Sequence, residues 1–145
     1  MKTGSFTTAS EKETQNLAQE CATAIQQGDI ILLQGPLGAG KSVFARALIN
    51  ALSNQHDDIP SPTFTLVQEY ETPKGMFYHF DLYRIEEPEE IYELGWEDIV
   101  NQEIAVVEWP EKLGFLRPNS YIEIIIQPLN ESKRSVTITD KRKSS

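Results

Sequence analysis

The segment Gly35-Pro36-Leu37-Gly38-Ala39-Gly40-Lys41-Ser42 satisfies the pattern G-x-x-x-x-G-K-[ST] at every position. A turn of this kind captures polyphosphate. Several backbone N–H groups converge on one phosphate, and side chains in place of Gly38 and Gly40 would block the approach. The helix expected to start near Lys41 adds the positive end of its dipole. Lys41 has the reach to bridge the β- and γ-phosphates of a nucleotide, and the Ser42 hydroxyl suits a Mg²⁺ held between them. The segments N-K-x-D and T-K-x-D, which usually accompany guanine specificity, do not occur later in the chain, so ATP is the expected nucleotide.

Hydrolysis asks for more than a cradle, because carboxylates must serve the metal and position water. Two candidates end apolar runs: Glu108 follows Ile104-Ala105-Val106-Val107, the arrangement of a Walker B strand, and Asp81 follows Met76-Phe77-Tyr78-His79-Phe80. If residues 63–71 and 76–80 pair as an antiparallel hairpin, Thr63 and Phe64 lie beside Asp81. If the second of these strands also runs parallel to residues 30–34, that edge is the phosphate edge, where open α/β sheets bind ligands. Ser61-Pro62-Thr63 would then be a loop over the γ-phosphate, with the Thr63 hydroxyl able to respond to metal or phosphate. The residues leave open which of Asp81 and Glu108 binds Mg²⁺ and which orients water.

Three neighbours carry two readings each. His79 points the same way as Asp81 by strand alternation, although a packed or exposed imidazole is the simpler reading. Arg84 is either a charge for the transition state or half of a structural salt bridge. Trp109 is either a loop-anchoring indole or a residue that responds to nucleotide.

The elements that must position these groups are legible in the periodicity. Ser10 and Glu13 form a capping box, and Leu17, Cys21, Ala24 and Ile25 recur on one helical face until Gly28. Residues 30–34 are a continuous apolar run, as expected of a strand buried on both faces of a parallel sheet. Residues 43–52 resume helical spacing after the Gly-rich turn. A short acidic helix opens at Pro88 and stops at Gly95, and residues 104–107 are another buried strand. Residues 121–127 and 135–139 form a final hairpin. Together these describe an α/β, three-layer P-loop NTPase-like domain with a mixed, mainly parallel central sheet and antiparallel hairpins.

With 145 residues, 39% hydrophobic and 24% charged, the composition is that of one soluble domain spanning 1–145. A core of that size needs no staples. The lone Cys21 excludes an internal disulfide, fits a reducing compartment without establishing one, and reads as a small packing residue. The first ten residues hold no apolar signal region, and the apolar runs fall far short of the ~20 residues that cross a bilayer. The expectation is a cytoplasmic protein without membrane contact. A formal net charge of -9 argues against direct nucleic-acid binding, so work on RNA would pass through a partner. Lys133 and Arg134, followed by Lys141, Arg142 and Lys143, form the one basic cluster, expected to be solvated, with a flexible tail over 140–145. Nothing in the sequence speaks to oligomeric state.

Four segments together resemble the bacterial TsaE (YjeE) family: the turn at 35–42, Ser61-Pro62-Thr63-Phe64-Thr65-Leu66-Val67, His79-Phe80-Asp81-Leu82-Tyr83-Arg84, and Val107-Glu108-Trp109-Pro110-Glu111. The first is shared by many NTPases, whereas the second and third in this order are far more specific. The resemblance implies a cytosolic Mg²⁺-dependent ATPase required for N6-threonylcarbamoyladenosine at position 37 of tRNAs reading codons that start with A. It implies docking on TsaD and TsaB, with ATP hydrolysis resetting that complex and tRNA contacted only through it. Matched residue by residue, Gly38, Ala39, Gly40, Lys41, Ser42, Val43 and Trp109 would bind nucleotide, and Ser42, Asp81 and Glu108 would serve the metal. Lys41, Thr63, Asp81 and Glu108 would serve hydrolysis.

Two positions depart from the usual family pattern. Pro36 stands where an acidic or other polar residue is common and removes one backbone donor from the loop, and Ser42 replaces the commoner Thr but keeps the hydroxyl. Two other functions fit a cradle of this kind. A small-molecule kinase would call for an Arg-rich lid, yet Arg46, Arg84, Arg117 and Arg134 are scattered. A nucleotide-sensing subunit would bind ATP or ADP without significant turnover.

Overall fold

The structure is a computed structural model that describes residues 3–53, 66–100 and 102–143. Seven strands form one sheet: β1 (Gly4–Thr8), β2 (Ile30–Gln34), β3 (Val67–Thr72), β4 (Gly75–Asp81), β5 (Ile104–Glu108), β6 (Tyr121–Pro128) and β7 (Arg134–Lys141). Their spatial order is β1-β7-β6-β2-β5-β4-β3. β6, β2, β5 and β4 are mutually parallel, while β1, β7 and β3 join through antiparallel pairs. The mixed, mainly parallel sheet flanked by two hairpins is therefore present. The β3–β4 hairpin turns in two residues, since Thr72 pairs with Gly75, and the Thr72 hydroxyl both donates to Gly75 O (2.6 Å) and accepts from Lys74 N (3.1 Å).

The continuous apolar strands behave as two-faced elements. Ile31 and Leu33 of β2 join one core with α1 (Glu11–Ala22) and α2 (Lys41–Ser53), whereas Ile30 and Leu32 join a second core on the opposite face. That second core is closed by α3 (Glu89–Tyr92), α4 (Trp96–Ile99) and a 3₁₀ segment (Pro110–Leu116) through Ile91, Trp96, Ile99 and Leu113. A helix-covered sheet with both faces buried is the three-layer arrangement that uninterrupted apolar runs demand.

Several boundaries differ from the sequence expectation. α1 ends at Ala22, six residues before Gly28, because the Lys74 ammonium arrives from the β3–β4 turn and takes the carbonyls of Ala22 (3.2 Å) and Ile25 (2.6 Å). Its N-terminus is capped by Ser10 Oγ, which accepts from Glu13 N (3.2 Å), but Glu13 returns to Ala9 N rather than to Ser10 N (3.1 Å). The acidic helix does not stop for good at Gly95; Gly95 joins α3 to α4. β1 had no sequence signal, being a short, largely exposed strand that pairs with β7 at the sheet edge.

Residues 140–143, within the expected tail, make specific contacts. β7 runs to Lys141, and the Arg142 guanidinium binds Asp140 (2.8 and 2.9 Å), Asp29 (2.9 Å) and Ala24 O (3.1 Å). Cys21 is buried, and burial raises its thiol to about 11, in keeping with a packing role.

Gly35, directly after β2, is where the sheet constrains the following turn most tightly. A Cβ there would lie 2.4 Å from Ile126 O, a backbone atom of β6 that cannot swing aside. Gly35→Ala is expected to cost about 1–3 kcal/mol of stability by overpacking. Chemical denaturation checks this; an unchanged midpoint would show that β6 yields.

Candidate functional site

The register of the parallel strands decides what stands at the edge beyond β2. Leu33 pairs with Glu108, and Glu108 pairs with Asp81. Both acids therefore sit beside the turn that leaves β2 at Gln34 and enters α2 at Lys41. Within that turn Ala39 N donates to Pro36 O (3.1 Å), and Phe44 N makes an early α2 bond to Gly40 O (3.1 Å). Gly38 and Gly40 have φ of 78° and 97°, which favour residues without a Cβ. A Cβ on either would meet no protein atom within 4 Å, so their faces are open to the cavity.

Lys41 is 5% exposed despite its charge. Its Nζ donates to Gly35 O (2.6 Å) and lies 3.4 Å above the centre of the Trp109 ring. Burial lowers the ammonium from its ordinary value, and Glu108, Glu111 and Asp81 oppose that shift. Trp109 is the single non-glycine residue with positive φ among the described residues (φ 61°, ψ 52°), a strained conformation for a bulky side chain. Its ring also meets Tyr83 at 5.0 Å.

The two carboxylates differ in surroundings. Glu108 is 3% exposed, and one of its oxygens is 2.6 Å from His79 Nε2. Asp81 is half-buried and accepts from Tyr83 N (3.1 Å). Burial raises the Asp81 carboxyl; Glu108 adds to the rise, while the Tyr83 N–H, His79 and Lys41 oppose it. Asp81 N donates to Leu66 O (2.9 Å), so the residue beside Asp81 is Leu66. Thr63 and Phe64, expected at that place, lie outside the described residues.

Gly38, Ala39, Gly40, Lys41, Ser42 and Val43 line a cavity of about 720 Å³ together with Asp81, Glu108, Trp109 and Arg84. The expected site residues that can be placed thus share one concave surface, large enough for a nucleotide. Sequence reasoning missed two walls. Ala9, Ser10, Glu11 and Thr14 come from the start of α1, and Glu131, Ser132 and Arg134 from the β6–β7 turn. Arg134 Nε donates to Ala39 O (3.1 Å), tying that hairpin to the turn between β2 and α2. A lone arginine in a basic cluster carries no local signal of such a role. Among the described residues no group of three or more His, Cys, Asp and Glu could hold a metal, and no helix is long and apolar enough to cross a membrane.

Comparison with known proteins gives one consistent result. The family model described as "Threonylcarbamoyl adenosine biosynthesis protein TsaE" matches residues 8–136. The chain is 44% identical over 129 residues to the tRNA threonylcarbamoyladenosine biosynthesis protein TsaE of Rickettsia prowazekii, covering 89% of this chain and 90% of that protein. It is 40% identical over 133 residues to the protein of the same name from Aquifex aeolicus, covering 91% and 92%. The crystal structure of Bacillus subtilis YdiB superposes with a TM-score of 0.75 at 27% identity, covering 97% of this chain and 86% of that one.

The raised Asp81 has a consequence for stability. A carboxyl whose folded-state value lies above its unfolded one binds its proton more tightly in the fold, so its ionisation above that window costs stability. Asp81→Asn keeps an acceptor for Tyr83 N and is expected to raise the melting temperature at pH 7 by about 1–3 °C, a small gain because water reaches half of the group. The gain shrinks as pH falls into the carboxylate range. Thermal scans at pH 7 and pH 4 check this; a loss at pH 7 would contradict the assigned burial cost.

Proposed function

The chain belongs to the TsaE family, and from that membership we propose that it is a Mg²⁺-dependent ATP hydrolase of tRNA threonylcarbamoyladenosine synthesis. It releases ADP and phosphate in the cytoplasm to support turnover of a complex of TsaD and TsaB. The observation that carries the reading is the convergence of Lys41 and Ser42 with Asp81 and Glu108 on one cavity wall system.

The residues fit the reactants. The Lys41 ammonium, poised at the start of α2, would exchange Gly35 O for the oxygens of an incoming polyphosphate. Asp81 and Glu108 supply hard carboxylate oxygens and Ser42 a hydroxyl, the donor types that Mg²⁺ takes. With fewer than three clustered protein ligands, the ion would complete its shell with phosphate and water oxygens. When bound, Mg²⁺ neutralises charge developing between the β- and γ-phosphates. One carboxylate is then free to orient the attacking water. Trp109 covers Lys41 from the side and excludes water from the ammonium. The tRNA contacts would belong to the partners, since the chain carries a net charge of -9.

Phosphate release is expected to be slow for the isolated chain and to rise when TsaD and TsaB are added. Labelled ATP checks the reading: label appearing on a small molecule when a cell extract is supplied would identify a kinase, and no rise in phosphate release at saturating TsaD and TsaB would leave a nucleotide sensor. Lys41→Ala removes a charge-assisted bond to phosphate and is expected to weaken ATP binding about ten- to a hundredfold with the fold retained. Calorimetric titration measures this; unchanged affinity would remove Lys41 from the site.

A further inference from the structure

His79 is fully buried, on the same β4 face as Phe77 and Asp81. It stands opposite Val106, while Asp81 stands opposite Glu108, so its contact with Glu108 crosses the strand pair diagonally. Phe77, Ile104, Val106 and Leu33 around it belong to the core beneath α1 and α2, and Gln68, opposite it on β3, bonds to Tyr70 OH rather than to the imidazole. An imidazole in such a layer is costly unless its polar atoms are bonded. Only one is. Nε2 lies 2.6 Å from Glu108 Oε2, and the buried Nδ1 has no hydrogen-bond partner among the described residues. A core built for stability alone would place an apolar side chain here, so the contact with Glu108 is what the histidine contributes.

We propose that His79 is the positioning residue of Glu108: its Nε2–H donates to Oε2, fixes the carboxylate rotamer, and leaves the other oxygen as the acceptor offered to a group in the cavity. With Oε2 bonded to His79, Oε1 is the Glu108 oxygen without a partner among the described residues and the one best placed for a bound water or ion, whereas half-buried Asp81 has no such restraint among the described residues beyond the Tyr83 N–H. The role of His79 in turnover rests on the hydrolase reading above; its pairing with Glu108 does not.

The pairing is tested first in the unliganded protein. Side-chain ¹⁵N NMR is expected to show the His79 proton on Nε2, with a resonance that moves in Glu108→Gln. A proton on Nδ1 with none on Nε2 would overturn the proposal. Turnover is then compared among variants in the presence of TsaD and TsaB. His79→Leu is expected to lower kcat about ten- to a hundredfold while ATP affinity changes far less, as for other residues that orient a ligating group. Gln can present its amide nitrogen where Nε2 stood, so His79→Gln is expected to recover most of the rate. In a Glu108→Gln background, His79→Leu is expected to add less than about a twofold loss, because residues acting as one unit are not additive. A folded His79→Gln as slow as His79→Leu, or additive losses, would reduce His79 to a structural part. Absence of ATP turnover in the unaltered chain would fail the hydrolase reading instead, and the NMR result would still decide the pairing.

Discussion

Leu33, Glu108 and Asp81 stand abreast on three parallel strands, and the rest of the site depends on that register. Parallel strands deliver their C-terminal ends to the same edge, so the turn after β2 and the acids ending β5 and β4 meet without help from long loops. Slipping β4 or β5 by one residue would send its acid to the opposite face of the sheet. The two cores forbid that slip. Ala105 and Val107 of β5 are fully buried in one core and Ile104 and Val106 in the other, as are Phe80 and Phe77 of β4, so both strands are held by both of their faces.

On this frame the electrostatics are a balance of costs. Lys41 is buried far more deeply than a lysine ordinarily is, and burial works against its charge, while the fields of Glu108, Glu111 and Asp81 work for it. Each acid in turn is held by its own contact: Glu108 by His79, Asp81 by the Tyr83 N–H. The cation is further enclosed by the Trp109 ring, whose left-handed backbone is what turns the chain from β5 into the 3₁₀ segment. The turn between β2 and α2 is fixed from two sides, by the close approach of Gly35 to β6 and by the Arg134 bond to Ala39 O. A loop of backbone amides held in this way would spend less binding energy on its own ordering if it received a polyphosphate.

Much of this was legible from residue patterns because the signals are local. Apolar runs without alternation marked β2 and β5, a complete G-x-x-x-x-G-K-[ST] string marked the turn between β2 and α2, and an acid at the end of each of two runs placed Asp81 and Glu108 at one sheet edge. What escaped is what depends on remote partners. The end of α1 is decided by Lys74, some fifty residues away, and β1 is a strand only because β7 lies beside it. The Arg134 bridge joins β7 to the turn after β2, and the His79–Glu108 contact requires the β4–β5 register, so strand alternation alone could place His79 on the right face but not name what it touches. Thr63 lies outside the described residues, so its expected place over the phosphates stands as proposed.

The central claim is that the turn between β2 and α2 receives a polyphosphate while the acids of β4 and β5 face it. Backbone amide NMR during a titration with Mg²⁺ and ATP tests it most directly. The account predicts the largest shifts at residues 38–43, accompanied by Asp81, Glu108 and the Trp109 indole. Shifts concentrated on α3 and α4, with the turn unmoved, would contradict it.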